Sequence, residues 1–182
     1  LVKTIQLSQA VLERCIFKHQ DKNIYFVADA YKGSQISQTV IDFLSAASGK
    51  TEDIISLIID SQVIDLKIQG GSHLIVYVGH DGLMDSDLDS YPENQDNRVR
   101  ETMILAYFSK IYFYNAIVKA RAKPLLWTTG LMAPEAYTLE DAIESWVSEE
   151  GDESIRLRAA QAYNSYQRCG LEAAKHLLVS GM

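Results

Sequence analysis

The residues best suited to chemistry stand where apolar runs stop. His80 follows the run 74–78 (LIVYV) and sits between Gly79 and Asp81-Gly82. A second run, 102–107 (TMILAY), ends in Tyr107-Phe108-Ser109-Lys110. A third, 23–28 (NIYFVA), is followed by Asp29, and a fourth, 124–128 (PLLWT), by Thr129-Gly130. An imidazole beside a nucleophile is the minimum for acyl transfer, with the imidazole as general base and then acid. In open α/β sheets such chemistry gathers beyond the carboxyl ends of the strands, where loops are held by a rigid scaffold. Each candidate also has a plainer reading. His80 can be a hydrogen-bonded loop residue, and Asp81 a turn cap. Asp29 can cap the 31–34 turn, and Trp127 and Trp146 read as core aromatics.

Positioning those ends requires strands that alternate with helices. Five unbroken apolar residues at 74–78 read as a central strand buried on both faces, as in a parallel sheet. Strands are also expected at 23–28, 54–59, 102–107 and 124–128. A short extra strand is expected within 60–73, before the Gly70-Gly71 turn. Residues 8–19 carry apolar side chains at 11, 12, 15 and 16 behind Ser8, which predicts an amphipathic helix with Cys15 on its apolar side. Helices are further predicted over 36–48 with Gly49 after its end, over 111–121, and from a Thr138 cap to about residue 149. Ser154 is read as the cap of a long last helix, bent near Gly170. The stretch 85–98 is an acidic loop whose spacing lacks the pattern of an EF-hand, and a solvated loop is the expectation. The order predicts a single domain, 1–182: a doubly wound, mainly parallel α/β sheet flanked by helices, with extra helices at the C-terminal end.

Composition narrows the function classes. A net charge of −7 argues against a general nucleic-acid binder, because phosphate contacts need clustered Lys and Arg. No apolar run approaches the ~20 residues of a membrane span. Two cysteines, Cys15 and Cys169, are too few for a disulfide framework, and no metal-type spacing surrounds them. No metal and no cofactor are therefore expected. The chain opens at Leu1, as expected of a processed or trimmed product, which leaves compartment and oligomeric state open.

Two motifs together resemble the caspase-fold cysteine peptidases, the group of caspases, metacaspases, legumain and the gingipain- and clostripain-like enzymes. Their pattern is an apolar run ending in His-Gly or His-x-Gly, then another ending in Ala-Cys-x-Ser/Gly. Val78-Gly79-His80-Asp81-Gly82 matches the first element, and Leu105-Ala106-Tyr107-Phe108-Ser109 matches the second except at Tyr107. The resemblance covers residues 23–130, and the C-terminal helices are more like bacterial members than animal caspases. It implies a caspase-like domain with His80 in the base position and Tyr107 in place of the nucleophilic Cys. It further implies substrate-binding roles for Asp29, Gly82 and Ser109, Asp29 through a pocket for Arg or Lys. A phenol is bulky and poorly nucleophilic towards amides, and neither cysteine is an obvious substitute. The function implied is a pseudo-peptidase that binds a peptide or protein in its cleft. The alternatives are a family enzyme, cleaving after Arg or Lys, in inactivated form, and a Rossmann-like small-molecule module. The last lacks any Gly-x-Gly-x-x-Gly or P-loop pattern after a strand.

Overall fold

A computed structural model of the chain describes residues 1–5, 7–86 and 88–182; Gln6, and Asp87 within the acidic stretch 85–98, lie outside the described residues. The chain, read from its sequence as one domain, divides into two compact units, Leu1–Asp42 and Phe43–Met182.

The first unit is a three-stranded antiparallel sheet of β1 (Lys3–Ile5), β2 (Val11–Lys18) and β3 (Tyr25–Tyr31), in that order. The helix expected over 8–19 is therefore strand β2. Ser8 does accept hydrogen bonds from the Ala10 and Val11 amides, at 3.2 and 3.0 Å, but the turn it closes leads into the sheet. Burial follows a period of two, with Arg14 and Ile16 buried and Glu13 and Phe17 exposed. Pairing with β3, from Phe17 opposite Phe26 to Arg14 opposite Asp29, outweighs the helical spacing of four apolar side chains. The strand at 23–28 is present as β3 but pairs antiparallel and runs on to Tyr31, so Asp29 lies within it rather than past its end. A single 3₁₀ turn, Gly33–Gln35, leads to helix α1 (Ile36–Ala47).

The second unit holds two sheets. Strands β4 (Glu52–Ile59) and β5 (Gln62–Gln69) form an antiparallel hairpin, so the extra strand expected within 60–73 is full length. The other sheet has the order β6 (Leu74–Val78), β7 (Glu101–Leu105), β8 (Lys123–Thr128), β9 (Leu178–Val179); the first three are mutually parallel and β9 runs antiparallel to β8. Strand β6 is thus an edge strand of this sheet among the described residues, not the central one. Ile75 and Tyr77 are buried, Leu74 and Val76 half-buried, and Val78 is exposed. The buried centre is β7, whose Thr102, Met103, Ile104 and Leu105 are all inaccessible.

Helices cover both faces of this sheet. On one, α3 (Ser109–Ala120) places Phe113 against Tyr77 and Phe43, with ring centroids 5.6 to 5.9 Å apart. On the other, α4 (Ala136–Val147), α5 (Asp152–Gln167) and α6 (Leu171–Leu177) pack Ala142, Ile155, Ala159 and Ala174 on Met103, Leu105 and Leu126. The caps expected for these helices are replaced. Helix α4 starts after Glu135, leaving the Thr138 hydroxyl buried with no hydrogen-bond partner among the described residues, and α5 starts after Gly151, two residues before Ser154 is reached. The expected bend is a full break: Arg168 adopts φ 53° and Gly170 φ 90°, ending α5 and opening α6.

The second half of the acidic stretch is anchored. Asn94 donates from its amide side chain to the Arg98 and Ala120 carbonyls, and the Gln95 amide bonds the Ser48 carbonyl. Arg100, inaccessible to solvent, donates to the Gly70 carbonyl and holds both Asp96 carboxylate oxygens.

Candidate functional site

His80 and Tyr107 meet at the carboxyl ends of adjacent parallel strands. In the β6–β7 register Val78 lies beside Leu105, so the two residues after each strand share one rim. The rings contact edge to face, with centroids 6.0 Å apart and planes at 84°. Tyr107 is half-buried and its ring packs on the main core.

A third side chain completes the group. One helical turn, α2 (Gly82–Asp85), brings the Asp85 carboxylate back to His80 Nε2 at 2.6 Å. A carboxylate accepts, so Nε2 carries the proton and Nδ1 is left as the ring's acceptor. A base whose far nitrogen is held by a carboxylate is the arrangement that orients imidazoles in nucleophilic catalysis. The pair is exposed and rests on a four-residue helix. The sequence reading missed Asp85, assigning it to the acidic loop; the only signal was the Asp81 cap two residues before the hydrophobic pair Leu83-Met84.

Asp81 is the cap, as the plainer reading has it. Its Oδ1 accepts from the Leu83 amide at 2.9 Å and the Met84 amide at 3.2 Å. The carboxylate is fully buried and its Oδ2 has no hydrogen-bond partner among the described residues. Burial pushes its pKa up to about 6, against the two amide bonds and the nearby His80, which pull it down. Tyr77 closes the underside of the turn by donating to the His80 carbonyl at 2.5 Å. Burial and the Asp81 charge raise the Tyr77 phenol, while the Gly82 amide opposes them as a donor to it.

This turn corrects the substrate-binding role that the resemblance implies for Gly82. Gly82 is buried, and the next two amides are held by Asp81. Ser109 is corrected as well. It is fully buried as the first residue of α3, its hydroxyl donates to the Ile104 carbonyl at 2.9 Å and lies 3.1 Å from the Thr128 hydroxyl, and it accepts from the Thr128 amide. Thr128 in turn donates to the Ala106 carbonyl. The pair ties the end of β7 to the end of β8 and has no face for substrate. The turn between them holds Phe108 at φ 49°, a left-handed conformation uncommon for an aromatic residue.

Asp29 belongs to the first unit, and its carboxylate is gripped by Arg14 through two bonds, at 2.5 and 2.6 Å. A carboxylate already paired bidentately offers little to an incoming Arg or Lys. Trp127 is a core residue, covered by Tyr114 and with the Lys110 ammonium 5.3 Å from its ring. Among the described residues no cluster of His, Cys, Asp and Glu is arranged to hold a metal, and no helix is long and apolar enough to cross a membrane.

Asp81 yields a test of this turn. The folded chain keeps a proton on Asp81 that the unfolded chain has lost between about pH 4 and 6, so its contribution to stability falls as pH rises through that window. Asp81→Asn keeps an acceptor for the two amides and removes the buried charge. It should be more stable than wild type at pH 7 by about 1 to 3 kcal/mol in denaturant unfolding, with the gap closing by about pH 4. A gap of constant size across that range would contradict the buried-charge account.

Comparison with protein-family models, with curated proteins and with solved structures finds no match to this chain.

Proposed function

We propose that the chain is a caspase-like, doubly wound domain that retains a peptidase-type cleft without its nucleophile, and that it binds a peptide or protein segment rather than cutting one. The observation that carries this is the contact of His80 and Tyr107 across adjacent parallel strand ends. The parallel β6–β7–β8 arrangement with helices on both faces supports it, since rims of this kind collect ligands. Tyr107 fills the position from which a thiol would attack, and a phenol there blocks rather than performs acyl transfer. A second reading, a peptidase-family enzyme carried in inactivated form, is favoured by the His80–Asp85 bond. That bond orients a base for which no nucleophile stands ready.

The test uses a panel of short peptides with basic, acidic and apolar residues at the central position. Because Asp29 is paired with Arg14, a preference for Arg or Lys is not attributed to it. Binding should shift the His80 and Tyr107 ring signals in NMR spectra and leave every peptide intact. His80→Ala should weaken binding by about tenfold, or ~1.4 kcal/mol. Cleavage of any of the peptides by the wild-type chain would overturn the proposal, and cleavage that persists in His80→Ala after alkylation of Cys15 and Cys169 would place the chemistry away from this rim.

A further inference from the structure

The β4–β5 hairpin carries an unpaired edge whose charges and free backbone groups fit a second copy of itself. Among the described residues it stands as a two-stranded sheet with no third strand on either side. Isolated ribbons are marginal in water, and an open edge is a template for another strand.

Which backbone groups are free follows from the turn. The loop is two residues long, Asp60 at φ 50° and Ser61 at φ 64°, as in a type I′ hairpin. Such a loop makes Ile59–Gln62 a hydrogen-bonded pair, and bonded pairs then recur at every second residue: Leu57–Ile64, Ile55–Leu66 and Asp53–Ile68. The residues between them on β5, Val63, Asp65 and Lys67, direct their N–H and C=O groups away from β4; Gln69 ends the strand at φ 54°, its carbonyl taken by the Ser72 amide at 2.9 Å.

We propose that this chain self-associates by antiparallel pairing of β5 with β5 of a second copy, about a two-fold axis at Leu66. In that register Asp65 lies opposite Lys67 of the other copy, and Lys67 opposite its Asp65. The bonded pairs are therefore Asp65 with Lys67 and Lys67 with Asp65, the two residues at the centre of the edge, while Val63 falls opposite the turn at Gln69. On the other face Leu66, half-buried, meets Leu66, and half-buried Ile64 lies opposite Ile68, which is already buried in its own unit. Neighbouring self-registers fail on charge: an axis at Asp65 opposes two carboxylates, and an axis at Lys67 opposes two ammonium groups. Like charges directly opposite are destabilising. The edge of β4 offers no equivalent. Its outward groups belong to Glu52, Ile54, Ser56 and Ile58, with no cation among them.

Charges on an edge strand often serve to repel other strands. Same-sign charges would do so in every register, whereas opposite signs two residues apart attract in one. Asp65 and Lys67 are exposed; Asp65 accepts from the Ser56 hydroxyl at 2.6 Å, a bond that leaves its charge in place.

The experiment measures mass by sedimentation equilibrium from about 1 µM to about 1 mM protein, a range spanning weak to moderate affinities. Wild type should pass from monomer to dimer. Asp65→Lys and Lys67→Asp should each weaken the dimer at least tenfold. An equimolar mixture of the two variants should dimerise again, because each supplies the charges the other lacks. In parallel, hydrogen exchange at the wild-type Asp65 and Lys67 amides should slow as concentration rises, a readout that needs no variant to fold. Any of three results overturns the proposal: a wild type that stays monomeric throughout, as it would if a foreign strand were the natural occupant; single variants that dimerise as tightly as wild type; or a mixture that stays monomeric.

Discussion

Tyr107→Cys should give the chain a slow, thiol-dependent peptidase activity that His80→Ala abolishes. The substitution puts sulfur where the phenol ring begins, on the rim that His80 already faces. Asp85 holds the imidazole through Nε2, leaving Nδ1 to take a proton, and a nearby imidazole stabilises a thiolate. The rate will be limited by what the rim lacks. The Leu83 and Met84 amides are engaged by Asp81, so two of the nearest donors are withheld from the developing oxyanion. Losing one such donor costs on the order of 100- to 1000-fold in other sites, so turnover should fall at least that far below an intact peptidase. Removing a ring that packs on the core also costs stability, about 1 to 3 kcal/mol. The assay is cleavage of fluorogenic peptides, Arg and Lys substrates first, in a Cys15→Ser/Cys169→Ser background. Alkylation of the new thiol is the second readout. Near neutral pH it should proceed faster with His80 than in His80→Ala. Equal alkylation rates in the two would show that the imidazole does not reach the thiol, and would sink the dyad reading.

The rim itself was legible because its signals are local. Runs of apolar residues that end abruptly gave β6, β7 and β8, and the glycines around His80 marked a turn. What depended on pairing was not legible. In β2, apolar residues at 11, 12, 15 and 16 suit a helix, and the partner strands β1 and β3 decide otherwise. The run 74–78 reads as buried, but its number of neighbours is set by the sheet, which leaves β6 at an edge. Asp29 was misplaced for the same reason. The strand runs two residues past it, and the antiparallel register sets it against Arg14. Ser109 shares its spacing with the family motif, but its hydroxyl is drawn inward by Ile104 and Thr128 once β7 and β8 lie side by side. Asp85 reaches His80 only after Asp81 has closed a helical turn between them.

Asp96→Ala should be among the most destabilising single changes in the second unit, by about 3 kcal/mol, although Asp96 lies on the surface. Its partner is the cause. Arg100 is 1% exposed, and its guanidinium bonds only Asp96 and the Gly70 carbonyl among the contacts described. It lies so close over Gly49 that a Cβ there would fall 2.6 to 2.8 Å from its terminal atoms, and Gly49 is also at φ +74°. The guanidinium therefore cannot readily turn to solvent when the carboxylate is lost. A buried cation left without its anion costs far more than a surface ion pair contributes. The signature is a double variant. Arg100→Met removes the charge and fills part of its volume, so Arg100→Met/Asp96→Ala should be more stable than Asp96→Ala alone. Acid titration gives an independent check. The Arg100 guanidinium bonds hold the Asp96 carboxyl down at about 2, so the stability it contributes is present above about pH 4 and lost as pH falls towards 2. This window lies below the one assigned to Asp81, so unfolding measured from pH 7 to pH 2 separates the two. A double variant no more stable than Asp96→Ala would mean that Asp96 acts by anchoring the loop rather than by neutralising Arg100.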